Sequence, residues 1–270
     1  MRKESLGNNK SIEYDARDFL NDIGLEVSDV LVDKLHFANK KLKGKLSTDI
    51  DSTEVLSEEL AVWGFNRYHN TDYRVEDLKS QYQMVEWSKK IPDVKDPLKH
   101  ALCFWNNPDW LAWAVDPTPG AVDVSRFLSA NGVDVRRETA RPGWTRQATL
   151  ACGKRLTPWV DESLFNIHGS SEINSASKVE NVILKSNYHI DDAQRESEVM
   201  AEAGVKVVLI RKPWNENYLP KSENLITFDR FYENGLLNLG ITKTVFNEVA
   251  LYAQAYLILA DIIIEKYHKV

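Results

Sequence analysis

The 270-residue chain is 43% hydrophobic and 27% charged, the composition of a globular protein with a sizeable core and not of a disordered one. Its formal net charge of -6 excludes the bulk basic field that gathers nucleic-acid polymers or anionic lipid, so a polyanionic ligand would need a local basic pocket. Cys103 and Cys152 lack metal-ligand spacing, "MRKESLGNNK" has no apolar signal core, and Gln254 and Asp261 interrupt the longest apolar stretch, Val249 to Ile264; together these point to a cytoplasmic protein with two free thiols and no membrane span.

Residues 11–42 read as helical, with Phe19, Leu20, Ile23, Leu31, Leu35 and Phe37 at roughly helical spacing and a lysine cluster at the end. "KLSTDID" follows as a short strand ending in Asp49 and Asp51. Residues 55–115 show helical patterning and hold five of the eight tryptophans. From Asp116 the rhythm alternates. "VSRFLSANG" is a helix stopped by Gly132, "VDVRRET" a strand, "ARPGW" a loop and "TRQATLACGKRL" a helix. "SLFNIHG" is a strand, "SASKVENVILKS" a helix, "YHIDDA" a strand end and "AQRESEVMAEAG" a helix. "VKVVLIRKPWN" is the clearest buried strand, ending in a tight turn whose Trp214 and Asn215 support the strand ends. A long helix over Thr242 to Lys269 closes the chain, apolar enough for burial or for a homodimer contact.

This alternation predicts an α/β fold with a Rossmann-like parallel sheet. The core spans residues 45–56 and 116–240, a helical insert occupies 57–115 straight after the first strand, and helical extensions occupy 1–44 and 241–270.

Active sites of open α/β sheets lie at the carboxyl ends of the strands. Those ends carry Asp49 and Asp51, Thr139 followed by Arg141, and Asp191 with Asp192, while Lys178 opens the helix after "SLFNIHG". Residues two apart in an extended chain share a face, so Asp49 and Asp51 repel unless a cation or a proton intervenes. Mg²⁺, which takes hard oxygen ligands, would relieve that repulsion, with Asp49, Asp191 and the Ile50 carbonyl as ligands. An aspartate can attack phosphorus to form an aspartyl-phosphate, and a second carboxylate can protonate the leaving oxygen and later activate water. Thr139 and Lys178 would hold the phosphoryl oxygens. Lys185 competes for the lysine role, but about six residues of strand place it roughly 20 Å from the rim. The bland alternatives are an acidic N-cap at Asp49 and Asp51, a capping turn at Asp191 and Asp192, a plain turn hydroxyl at Thr139 and a solvated lysine at Lys178.

Asp49-Ile50-Asp51-Ser52-Thr53 resembles the DxDx(T/V) signature of the haloacid dehalogenase-like (HAD) phosphohydrolases. "ETARP", "SK" and "HIDDA" are similar to that superfamily's second, third and fourth motifs, and "DPTPGAVDVSRFL" with "RKPWN" resembles its 5'(3')-deoxyribonucleotidase branch. The resemblance covers roughly residues 45–220. It implies Asp49 as nucleophile, Asp51 as acid and base, Thr139 and Lys178 as phosphoryl stabilisers, and a Mg²⁺ site at Asp49, Ile50, Asp51, Asp191 and Asp192. Residues 57–115 become a cap over the substrate, a small phosphorylated molecule of which a nucleoside monophosphate is favoured over a sugar phosphate. Arg141 and Trp144 are the substrate-binding candidates; lone His168 and His189 read as structural. Two features depart from the pattern. Arg136, Arg137 and Glu138 stand in a strand position that is normally apolar, and Ser52 stands where glycine is common. They imply either a wet sheet edge or a drifted member that binds a phosphorylated ligand or a protein partner with weak turnover.

Overall fold

The computed structural model describes residues 14–80, 82–228 and 238–268. The expected helical start at residues 11–13 and the end at Lys269 lie outside them. The alternation of strands and helices folds into a six-stranded, wholly parallel sheet. Its strands are β1 (Leu46–Asp49), β2 (Arg136–Thr139), β3 (Phe165–Ile167), β4 (Tyr188–Asp191), β5 (Lys206–Leu209) and β6 (Leu225–Thr227). They lie in the order β3-β2-β1-β4-β5-β6. β6, in "NLIT", was not among the strands expected from the sequence.

The order reverses between β1 and β4, which makes that gap the topological switch point where α/β sheets open a crevice. Register brings the acidic ends together: Asp49 pairs with Glu138 on one side, and Thr48 with Ile190 on the other.

Alternate residues of β5, with Ile210 just after it, show why both faces must be covered. Val208 and Ile210 point into a core built with α1 (Ala16–Asp22), α2 (Asp29–Leu42) and α7 (Ala121–Ala130), together with α12 (Leu251–His268). Val207 and Leu209 point into the opposite layer, against α9 (Ser175–Lys185) and α10 (Gln194–Glu202). The two terminal helical segments therefore cover one face of the sheet together with α7. Along α12, Tyr252, Tyr256, Leu257, Ile258, Leu259 and Ile263 are all buried in their own chain. At roughly 1.5–3 kcal/mol per buried large apolar side chain, this face carries much of the fold's stability. The apolar residues that suggested a homodimer contact are thus used inside the fold. No helix among the described residues is long and apolar enough to cross a membrane, and both cysteines are free.

The expected long final helix is two. The first, α11 (Lys243–Glu248), ends before an extended Val249, and α12 starts after it. The approach of α12 to the start of α7 is close enough to need glycine. Gly120 has φ +84, and a Cβ there would lie 3.0 Å from the main-chain nitrogen of Ala253.

Between β1 and α7 lie α3 (Ser57–His69), α4 (Gln83–Ser88), α5 (Pro97–Trp105) and α6 (Pro108–Trp113). α5 and α6 begin alike: Asp96 and Asn107 accept hydrogen bonds from the first-turn amides, and proline follows at the first helical position, where its missing N–H costs nothing. These starts break what the sequence presents as one helical run. Phe65 centres a separate apolar cluster with Met84, Trp87 and Phe104, which Trp214 joins from the turn after β5.

The charged residues of β2 sit in no wet edge, since β2 lies between β1 and β3. Arg137 is buried and reaches Glu54 at 3.0 Å and the Ser125 hydroxyl at 2.8 Å. Glu138 accepts from Asn181 at 2.9 Å and meets His168 Nε2 at 2.6 Å. The strand is polar because its polar groups are paired inside the fold.

α8 (Arg146–Leu156) rests on β3 through Gly153, where a Cβ would lie 2.4 Å from Cζ of Phe165. Gly to Ala inside a helix ordinarily stabilises by about 1 kcal/mol. Here the sign should reverse: Gly153→Ala should destabilise by about 1–3 kcal/mol in urea unfolding, from overpacking against the ring. A stabilised variant would show that this helix does not rest on β3 so closely.

Candidate active site

Asp49 is the last residue of β1, and the chain turns sharply after it. The Ile50 carbonyl accepts from Glu54 N at 3.0 Å and Val55 N at 3.1 Å, closing the turn. Ser52 takes φ +55, a left-handed conformation that favours glycine, and its amide donates to Ser57 Oγ at 3.0 Å. Both hydrogen bonds on the Ile50 carbonyl, the expected metal ligand, thus stay inside the turn.

Lys178 comes from the first turn of α9. Asn174 caps that helix on Ser177 N at 3.0 Å, and its own amide donates to the Ala140 carbonyl at 2.9 Å. The loops after β2 and β3 touch so closely at Gly169 that a Cβ there would sit 2.3 Å from the Arg141 carbonyl oxygen. Held this way, Lys178 Nζ lies 2.6 Å from Asp49 and 3.0 Å from Asp191. Lys185 is exposed at the far end of α9.

Asp191 is filled by donors. Its Oδ1 accepts from the amides of Asp192 at 2.8 Å and Ala193 at 3.0 Å, and its Oδ2 meets Lys178 and His189 Nε2, each at 3.0 Å. A carboxylate offers about four lone-pair directions, and all four are taken. Behind it runs a chain of hydrogen bonds that starts at half-buried Arg136. Arg136 donates to Ser186 Oγ at 2.9 Å, Ser186 to Ser47 Oγ at 2.7 Å, and Ser47 lies 2.8 Å from His189 Nδ1. That order of donors leaves His189 Nε2 as the N–H facing Asp191. Ser47, Ser186 and His189 thus support the site through the polar residues of the strands, a role the lone histidine did not disclose.

Asp192 is gripped from the other side. Thr53 donates to its Oδ1 at 3.0 Å, and Asn215 and Trp214 donate to its carbonyl at 2.8 and 3.3 Å. Lys212, in the same turn, forms a buried ion pair with Glu58 of α3. The sequence singled out Trp214 and Asn215 but not Lys212 or Glu58, which no local pattern connects.

Asp51 stands apart from this cluster. Its Oδ1 is ion-paired with Arg141 and its Oδ2 accepts from Thr139 at 3.0 Å. Thr139 therefore spends its one donor on Asp51 and is not turned to a ligand, and the Asp51 side chain is not among the metal-competent oxygens. Of the two substrate-binding candidates, Arg141 lines the cavity and Trp144 does not, its ring being exposed.

Oxygens of Asp49, Asp191 and Asp192 all lie within 4.8 Å of one another. Burial, with the neighbouring carboxylates and against the pull of Lys178, pushes Asp49 above the usual carboxylate range. Burial and then Asp191 push Asp192 the same way. Burial opposes ionisation of Asp191 too, but Lys178 and His189 hold it below that range. Two of three buried carboxylates are therefore short of positive charge, and the donor set is hard oxygen throughout. That set fits a small divalent cation such as Mg²⁺, with acceptor capacity remaining on Asp49 and Asp192.

Asp49, Asp51, Lys178 and Asp192 form the floor of a cavity of about 200 Å³ that opens beneath α4 and α5. Its walls include Leu102, Trp105 and Trp214, so two tryptophans face the site, neither of them Trp144.

No family model matches the sequence, and no curated protein matches it. Among solved structures, the chain is similar to a dehalogenase at 12% identity and TM-score 0.45, covering 68% of this chain and 92% of that one. It is also similar to the HAD-hydrolase YfnB from Bacillus subtilis bound to magnesium, at 14% identity and TM-score 0.44, covering 74% of this chain and 100% of that one.

Among the described residues, Lys178 is the one lysine or arginine paired with both Asp49 and Asp191. Lys178→Met should destabilise the fold by about 3–5 kcal/mol at neutral pH, the cost of stranding a buried charge. Urea unfolding measures it, and a loss below about 1 kcal/mol would mean that the carboxylates are already neutralised by other means.

Proposed function

We propose that the protein is a Mg²⁺-dependent phosphomonoester hydrolase of the HAD-like type, working through an aspartyl-phosphate on Asp49. The observation that carries this reading is the buried constellation of Asp49, Lys178, Asp191 and Asp192 at the switch point, with Asp51 beside it. Asp49 keeps one oxygen on Lys178, which aims the other at the cavity where a phosphoryl group would enter. Attack by that oxygen forms a P–O bond to Asp49 as the bond from phosphorus to the leaving group breaks. Lys178 and Arg141 balance charge on the phosphoryl oxygens. Bound Mg²⁺ would be held by Asp49 and Asp192, neutralising the surplus carboxylate charge and polarising the phosphoryl group.

Asp51, paired with Arg141 and Thr139, is poised as an acceptor. It suits the second step, taking a proton from the water that hydrolyses Asp49-phosphate. Donating a proton to the leaving oxygen in the first step requires Arg141 to turn from Asp51 to the phosphate. Nucleoside monophosphates are the substrates that the sequence resemblance favours, and the aromatic walls at Trp105 and Trp214 suit a flat base.

Phosphate release should require Mg²⁺, cease with EDTA and fall by at least about 10³-fold in Asp49→Asn, since loss of the nucleophile removes the covalent path. Circular dichroism should show the variant folded. Retained release in the folded variant would sink the mechanism, and none from any phosphomonoester would shift the protein to a ligand-binding role.

A further inference from the structure

The cavity is two-sided. Its floor is ionic, whereas the wall formed by α5 is an apolar stripe: Leu98, Ala101, Leu102 and Trp105 recur at the spacing that puts residues on one helical face. Across the mouth stands Ile173 from the loop before α9, and Tyr82 stands beside α4. Leu98, Tyr82 and Ile173 are 49%, 66% and 41% exposed, an apolar rim left open to solvent directly above buried charge. The polar side chains of the wall are sparse. Away from the ionic floor, Ser52, Ser80, Asn106, Ser175 and Glu196 stand among the apolar groups, and one N–H of the Asn106 amide donates to the Leu102 carbonyl at 3.1 Å.

We propose that the leaving group of the substrate is apolar or flat and aromatic, bound by its face against the α5 stripe, and that phosphate esters of polyols are rejected. This rests on the phosphohydrolase reading, because the ionic floor must hold the phosphoryl end. A polyol in this wall would lose water from several hydroxyls and meet too few partners for them. A ring loses nothing on entering and covers the open rim. A nucleoside monophosphate qualifies by its base and not by its ribose.

The test compares 2-phenylethyl phosphate with ribose 5-phosphate, both esters of primary alcohols, as substrates of the Mg²⁺-loaded protein, alongside inhibition by inorganic phosphate, which reaches only the floor. Phenylethyl phosphate should exceed ribose 5-phosphate at least about tenfold in kcat/KM, a difference of about 1.4 kcal/mol. In Leu98→Gln and Leu102→Gln its KM should rise about fivefold or more, with phosphate inhibition within about twofold of wild type. Leu184→Gln, exposed on α9 away from the cavity, should change neither. Equal use of ribose 5-phosphate, or an unchanged KM in both stripe variants, overturns the inference while leaving the hydrolase reading intact. No phosphate release from either ester overturns both.

Discussion

Everything at the strand ends depends on one buried ammonium group. Lys178 sits between Asp49 and Asp191 at 2.6 and 3.0 Å, almost without solvent, where its charge is worth far more than at a surface. Its own pKa is raised: burial opposes the charge, but Asp191 and then Asp49 hold the proton on. Buried pairs of this kind seldom add net stability, and their value lies in geometry. Lys178 can aim Asp49 only because Asp191 is itself immobilised by two amides and His189.

That immobilisation reaches through the sheet. The hydroxyls and charges of β1, β2 and β4, unusual in central parallel strands, form two sets of buried pairs. One runs from Arg136 through Ser186, Ser47 and His189 to Asp191. The other joins Arg137 to Glu54 in the turn that carries Asp51 to Val55, with Tyr252 of α12 donating to Thr48 at 2.9 Å nearby. The polar strands are thus the scaffold of the acidic cluster. Burying them is tolerable because nearly every group has a partner.

The helical insert meets this scaffold through the turn after β5. Trp214 belongs to the apolar cluster of the insert while its indole N–H reaches the Asp192 carbonyl. Lys212 of the same turn pairs with Glu58 at the start of α3. The wall of the cavity and its ionic floor are therefore braced by the same few residues, so the apolar stripe of α5 is set at a defined height above Asp49.

Composition, alternation and the acidic strand ends are local signals, and by itself the sequence determined the parallel α/β class, five of the six strands, and the convergence of Asp49, Lys178, Asp191 and Asp192 on one rim. Lys178 rather than Lys185 stands at that rim, although Lys185 is kept from it by the length of α9 and not by six residues of strand. Pairing across the chain was not legible. That Arg137 and Glu138 are buried with partners depends on Glu54, Ser125, His168 and Asn181, distant in sequence and brought close only by the order of the strands. Likewise, Thr139 and Arg141 turn to Asp51, the Ile50 carbonyl closes a turn, Trp105 rather than Trp144 lines the cavity, and the last helix is buried at home. Each of these is decided by which donor, acceptor or apolar face arrives opposite. Side-chain chemistry is written residue by residue, but its partners are set by tertiary packing.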